Sequence, residues 1–286
     1  MKLYRKLAAA RPDAFEPDLA SSLNNQGNMQ SEVGGREEAL ASTGEAVKLY
    51  RKLAAARPDA FEPNLASSLN NLGSRQSEVG GREEAVGSTG EAVKLYRKLA
   101  AARPDAFEPD LASSLNNLGN MQSAVGQREE ALASTGEAVK LHRKLAAARP
   151  DAFEPNLAGS LNNLGAVQSA VGQREEALGS TGEAVKLYRK LAAARPDAFE
   201  PDLAMSLNNL GNMQSKVGQR EEALASTGEA VKLYQSLFER WPAAFVNNLV
   251  ISLRNYSRYL TEGGSSVDAD PIVQSARSAI QRNGFR

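Results

Sequence analysis

The feature that most constrains this chain is that it repeats itself every 46 residues. Leu3, Leu49, Leu95, Leu141, Leu187 and Leu233 open the same phrase, and five full copies start at Pro17, Pro63, Pro109, Pro155 and Pro201. Residues 1–16 form a half repeat, residues 17–246 hold the five copies, and residues 247–286 carry a degenerate sixth. A unit of this length is one supersecondary element that cannot bury its own apolar side, so neighbouring units must stack. The expectation is a single repeat domain over residues 1–286.

One copy shows what the unit is. Leu111, Leu115, Leu118, Gln122 and Val125 recur at intervals of three and four, the stripe of an α-helix. Pro109 suits the first helical position, and Gly126 suits the left-handed residue that closes the other end. Glu129 and Glu130 then sit where a second helix has its positive dipole end, while Lys140, Arg143, Lys144 and Arg149 lie toward its negative end. Pro150 stops it, which gives a helix from Arg128 to Arg149 of about 33 Å. The fold class expected is all-α, an α-solenoid of stacked antiparallel helix pairs. Gly119, Ala131, Gly136 and Ala138 mark expected close approaches, since each mid-helix glycine forfeits about 1 kcal/mol against alanine.

Composition narrows function from the other side. With no Cys and one His, thiolate chemistry is absent and a His-based metal site or triad is hard to build. No enzyme activity, cofactor or metal is expected. Lys+Arg and Asp+Glu balance at 34 each, so no global field draws the chain to nucleic acid or an anionic membrane. The segment Met1 to Leu7 lacks an apolar core of signal-peptide length and no later run reaches membrane length, so a cytoplasmic location is expected. Glu129 and Glu130 recur in every copy, so they read as a helix start rather than an active site. His142 replaces Tyr50, Tyr96, Tyr188 and Tyr234 in one slot and reads as a tolerated substitution. Asn255-Tyr256-Ser257 is a glycosylation sequon by letter alone.

Asn117-Leu118-Gly119-Asn120, Gly126, Glu130-Ala131 and Ala138 fall at the mutual spacings of the tetratricopeptide repeat signature, which this array resembles in all five copies. Two departures stand out: the period exceeds the family's usual length, and Leu115, Gln122 and Thr135 replace its common large aromatics. The longer repeat is similar to those of kinesin light chain and of fungal and bacterial arrays associated with NACHT, NB-ARC or CHAT modules. The resemblance implies a right-handed superhelix, a protein-recognition or self-association role, and an arm or fragment of a larger signalling protein.

A row of amides is the candidate binding surface. Asn24/Asn25, Asn70/Asn71, Asn116/Asn117, Asn162/Asn163 and Asn208/Asn209 recur on the first helices, which in the family line the concave face. A primary amide both donates and accepts, so a stack of them can satisfy an extended backbone whatever its side chains. The same groups can instead bond the next repeat and fix the stacking. Ser113, Asn120 and Ser123 share the surface, which lacks the cations of a carboxylate groove except for isolated Arg75 and Lys216. The expected partner is a protein or peptide; self-association by head-to-tail stacking and nucleic-acid binding along the Lys/Arg ridge are the alternatives, the last disfavoured by the near-neutral balance of each copy. A further regularity, Asp18, Asn64, Asp110, Asn156 and Asp202, points to growth by duplication of a two-copy unit. Phe238, Trp241, Phe245, Ile251, Tyr256 and Tyr259, then Gly263-Gly264-Ser265-Ser266 and a helix over Pro271 to Gln281, read as a closing cap.

Overall fold

The computed structural model describes residues 2–284, all of its regular structure α-helical. The helices in chain order are α1 (Lys2–Ala10), α2 (Pro12–Glu32), α3 (Arg36–Ala56), α4 (Pro58–Glu78), α5 (Arg82–Ala102), α6 (Pro104–Ala124), α7 (Arg128–Ala148), α8 (Pro150–Ala170), α9 (Arg174–Ala194), α10 (Pro196–Lys216), α11 (Arg220–Arg240), α12 (Pro242–Glu262) and α13 (Pro271–Arg282). The fold is of the all-α solenoid class. Two compact units divide the chain inside α7, one running to Leu141 and the other from His142 onward.

Each period consists of two 21-residue helices, a three-residue glycine turn and a single extended residue. At the turn, Gly34, Gly80, Gly126, Gly172 and Gly218 hold φ between +82° and +89°, where a side chain would be strained. The other junction is Arg57 and its equivalents, with φ near −139° and ψ near 77° immediately before a proline. That geometry is the extended backbone that a residue preceding proline prefers.

The helix boundaries correct the sequence reading. First helices begin at Pro12, Pro58, Pro104, Pro150 and Pro196, while Pro17, Pro63, Pro109, Pro155 and Pro201 lie inside them. Both prolines of a copy fit a helix start by chemistry alone. The earlier one takes the position because its extended arginine closes the preceding helix, and the inner proline removes a single backbone bond close to the helix start. The second helix accordingly ends at Ala148, one residue before Arg149.

In the first unit, α3 packs between α2 and α4, and α5 between α4 and α6. Val47, Tyr50 and Leu53 of α3 meet Leu65 and Leu69 of α4 in one buried cluster, and Val93, Tyr96 and Leu99 meet Leu111 and Leu115 in the next. The second unit repeats this with Val185, Tyr188, Leu203 and Leu207. Its end is closed by α13, which packs on α11. Val273 and Ala276 enter a core with Phe238, Leu249 and Tyr256. The Asp270 carboxylate accepts the amides of Ile272 and Val273 at 2.9 and 3.1 Å and caps this helix.

Small residues divide into two kinds. A Cβ on Gly119 would lie 2.5 Å from Thr135 Cγ2 and 3.2 Å from the Ala131 carbonyl, so the pairing of α6 with α7 needs the glycine. Gly136 is expected from the sequence to mark close packing too, yet a Cβ on it or on its equivalents Gly44, Gly90 and Gly182 would meet nothing within 4 Å. Only at Gly228 is that slot covered, by Tyr256 Cε2 at 3.1 Å and Ile272 Cδ1 at 3.4 Å.

Arginines and glutamates link successive second helices at a constant offset: Arg51 with Glu91 at 2.5 Å, Arg143 with Glu183 at 2.7 Å, Arg189 with Glu229 at 2.5 Å, and Arg97 with Glu137. These pairs are exposed, each contributing at most about 1 kcal/mol, so their role is register. In the cap the rung becomes neutral, Gln235 Nε2 donating to Ser275 Oγ at 3.0 Å. Thus α13 stands where another second helix would.

Candidate functional site

A stripe at every fourth residue runs along the first helices, exposed over Ser21–Asn25–Met29 on α2 and, on α4, exposed at Ser67 and half-buried at Asn71 and Arg75. The amide pairs behave unequally along it. Asn25 is exposed, Asn71 and Asn117 are half-buried, and so are Asn163 and Asn209. Of the preceding partners, Asn24, Asn70, Asn116 and Asn208 are half-buried and Asn162 is buried. Asn120 is exposed, and Ser113 and Ser123 are half-buried.

Hydrogen bonds run between neighbouring first helices through these groups. Asn71 Nδ2 donates to Asn24 Oδ1 at 3.4 Å, and Asn255 Nδ2 to Asn208 Oδ1 at 3.1 Å. Asn162 Nδ2 donates to Ser206 Oγ at 2.5 Å, and the Tyr259 hydroxyl to Asn212 Oδ1 at 2.6 Å. Ser113 Oγ turns back to the Pro109 carbonyl at 3.0 Å. The structure therefore supplies contacts for the stacking role, while the outer member of each pair keeps part of its amide at the surface. Gln122 and Gln168 are drawn inward, each accepting a serine hydroxyl, Ser134 or Ser180, at 2.8 Å.

Two shallow grooves lie on this face. In the first unit, Ser74, Ser77, Asn117, Asn120 and Met121 line about 260 Å³ between α4 and α6. In the second, Ser169, Asn212, Ser215, Lys216, Arg258 and Glu262 are among the residues lining about 490 Å³ across α8, α10 and α12. The outer flank of α2 presents a more apolar surface, with Met29 67% and Val33 84% exposed.

Part of the basic ridge is ion-paired within the array. Arg143 pairs with Glu183, the Arg149 guanidinium stacks 4.8 Å from the Phe153 ring centre, and Lys98 and Lys190 bond Glu62 and Glu154 at 2.7 Å. At Arg143, Lys98 and Lys190 a phosphate would have to displace these carboxylates.

Buried tyrosines lie beside members of the Asp/Asn beat. Ser21 and Asn64 hydrogen-bond the Tyr50 hydroxyl, with Asp18 nearby, and Asn248 Nδ2 donates to the Tyr234 hydroxyl at 3.5 Å with Asp202 nearby. The Tyr234 hydroxyl in turn donates to the Pro201 carbonyl at 3.5 Å, so this phenol both donates and accepts. Burial pushes the carboxyls of Asp110 and Asp202 up, and the phenols of Tyr96 and Tyr188 as well. His142, 2% exposed, places Nδ1 2.8 Å from Ser160 Oγ, and burial lowers its pKa to about 4.

Residues that sequence reasoning passed over are Met205, Arg258 and the exposed faces of Trp241 and Ile251. Phe238, Tyr256 and Tyr259 are buried in or beside the cap as expected, but Trp241 is 46% and Ile251 52% exposed. The available signal was the identity of the other copies in the same slot. Among the described residues no helix is long and apolar enough to cross a membrane.

Comparisons agree with this geometry. A family model described as tetratricopeptide repeat matches residues 111–148 and 203–240, and one described as anaphase-promoting complex subunit 5 matches residues 14–57 and 148–195. The structure of BtubC (BKLC) from P. vanneervenii is similar, with a TM-score of 0.63 and 21% identity over 88% of this chain and 93% of that one. A structure of nearly identical TPR-like repeats from a Podosopora anserina putative kinesin light chain, solved as a point variant, is similar with a TM-score of 0.59 and 19% identity, covering 76% of this chain and 95% of that one. At these identities the likeness is one of fold. No curated protein matches in sequence.

Proposed function

We propose that this tetratricopeptide-repeat array is a non-catalytic, cytoplasmic scaffold, an arm of a larger signalling protein, that binds an extended protein segment along the Asn/Ser face of its first helices. The observation that carries the reading is the recurrence of a partly exposed amide in the same slot of successive first helices, Asn25, Asn71 and Asn117. Stacked amides at repeat spacing can pair with a peptide backbone without selecting its side chains. Five near-uniform copies suit a repetitive or sequence-tolerant ligand. The ion-paired second helices weigh against a nucleic-acid ridge.

Converting Asn25, Asn71 and Asn117 together to alanine tests the reading by titration of a fluorescent Gly/Ser-rich peptide. At least a tenfold loss of affinity with retained helical circular dichroism is expected, and unchanged affinity in a folded variant rejects it.

A second reading has its own observation: Met29 and Val33 share one groove lining and are 67% and 84% exposed. Such an exposed apolar pair suits self-association. Light scattering across a concentration series separates the two, since a peptide-binding array stays monomeric.

A further inference from the structure

The copies are so alike that a departure confined to one slot is informative. The slot at the head of the exposed stripe holds Ser21, Ser67, Ser113 and Gly159, and then Met205 and Ile251. Packing does not demand the change, because the same backbone position elsewhere carries a hydroxyl or nothing. Nor does the cap bury it: Met205 is 41% and Ile251 52% exposed, with Val250 beside it at 37%. The bonds from Asn255 to Asn208 and from Tyr259 to Asn212 fix α12 against α10, which sets Ile251 alongside Met205.

A second departure lies farther along the same two helices. Lys216 takes a slot filled by Glu32, Glu78, Ala124 and Ala170, and Arg258 one filled by Asn28, Ser74, Asn120, Ala166 and Asn212. Both line the groove of about 490 Å³. Among the described residues the Lys216 ammonium meets the Ser169 hydroxyl at 2.5 Å and no carboxylate. Arg258 stacks 4.8 Å from the Tyr259 ring centre and has Glu262 at 3.8 Å as a partial counter-charge. Two cations against one carboxylate leave this end of the groove positive.

We infer that α10 and α12 form a register-setting subsite for an extended segment bearing an apolar side chain, held by Met205 and Ile251, and an acidic side chain, held by Lys216 and Arg258. The inference rests on the peptide-binding reading above. Ile251 and Arg258 lie about 10 Å apart along α12 at helical rise, which an extended chain crosses in about three residues. Met205 and Lys216 lie about 16 Å apart, or about five residues. The partner chemistry is thus one apolar and one acidic residue separated by three to five positions. Sequence-tolerant amide pairing would hold the backbone, and this pair would decide where along the array a segment stops.

The test uses the full chain and two fluorescent peptides, one Gly/Ser-rich with a Leu and an Asp three residues apart, the other with those two replaced by Ser and Asn. A variant combining Met205→Ser, Ile251→Ser, Lys216→Ala and Arg258→Asn restores residues that the same slots hold elsewhere, so the fold is retained and circular dichroism verifies it. The anchored peptide is expected to bind the unmodified chain at least tenfold tighter than the blank, with the advantage lost in the restored variant and reduced at high salt. Equal affinity of the two peptides, or an advantage that survives in the restored variant, overturns the inference and leaves the peptide-binding reading standing. Absence of binding by both peptides removes that reading and the inference with it.

Discussion

His142 fills the slot of a buried tyrosine, and its neutral state follows from burial. Its folded pKa of about 4 lies below the ordinary imidazole value of 6.5. The unfolded chain therefore takes up a proton first as pH falls. Stability from this residue is complete above about 6.5 and is lost progressively toward pH 4, by about 2–3 kcal/mol. Asp110 and Asp202, whose carboxyls burial raises, act in the opposite sense, so the total profile mixes signs. The difference between wild type and His142→Tyr isolates the imidazole. Urea midpoints measured from pH 7.5 to 4.5 are expected to fall more steeply for wild type than for the tyrosine variant, and parallel curves would contradict the neutral, buried assignment.

Helices in this array are matched in length but held by unequal devices. Gly119→Ala drives a Cβ against Thr135 and the Ala131 carbonyl and is expected to cost about 1–3 kcal/mol. Gly136→Ala enters open space and is expected to gain up to about 1 kcal/mol from helix propensity. Thermal melts of the two variants check the pair, and equal shifts would contradict the packing described. The contrast shows what a periodic sequence conceals. Gly119 and Gly136 look alike on a helical stripe, because period alone reports which face a residue occupies and not how near the next backbone comes. Pro104 and Pro109 likewise both satisfy the chemistry of a helix start, and their order was settled by the extended arginine before the first. Turn glycines such as Gly126 were legible because a positive φ leaves few other residues.

At the scale of the molecule, repetition made the all-α solenoid class readable and hid the site. Uniform copies announce a surface, here Asn25, Asn71 and their equivalents, without saying how much of each amide is used up between neighbouring repeats. Asn71 and Asn255 spend a donor on the adjoining helix, a distance that no single-copy reading supplies. Met205 and Ile251 were visible as letters, but only their exposure separates them from the buried cap. Beneath both lies the claim that no helix pair here is stable without its neighbours. Excising residues 63–108 joins Glu62 to Pro109, the junction that Glu108 makes with Pro109 in the intact chain, so one repeat is removed without altering any connection. Urea unfolding of the shortened and full chains is the direct measurement. A lower midpoint together with a lower m-value is predicted for the shortened chain; an unchanged midpoint would mean that the units fold independently and would contradict the stacked array.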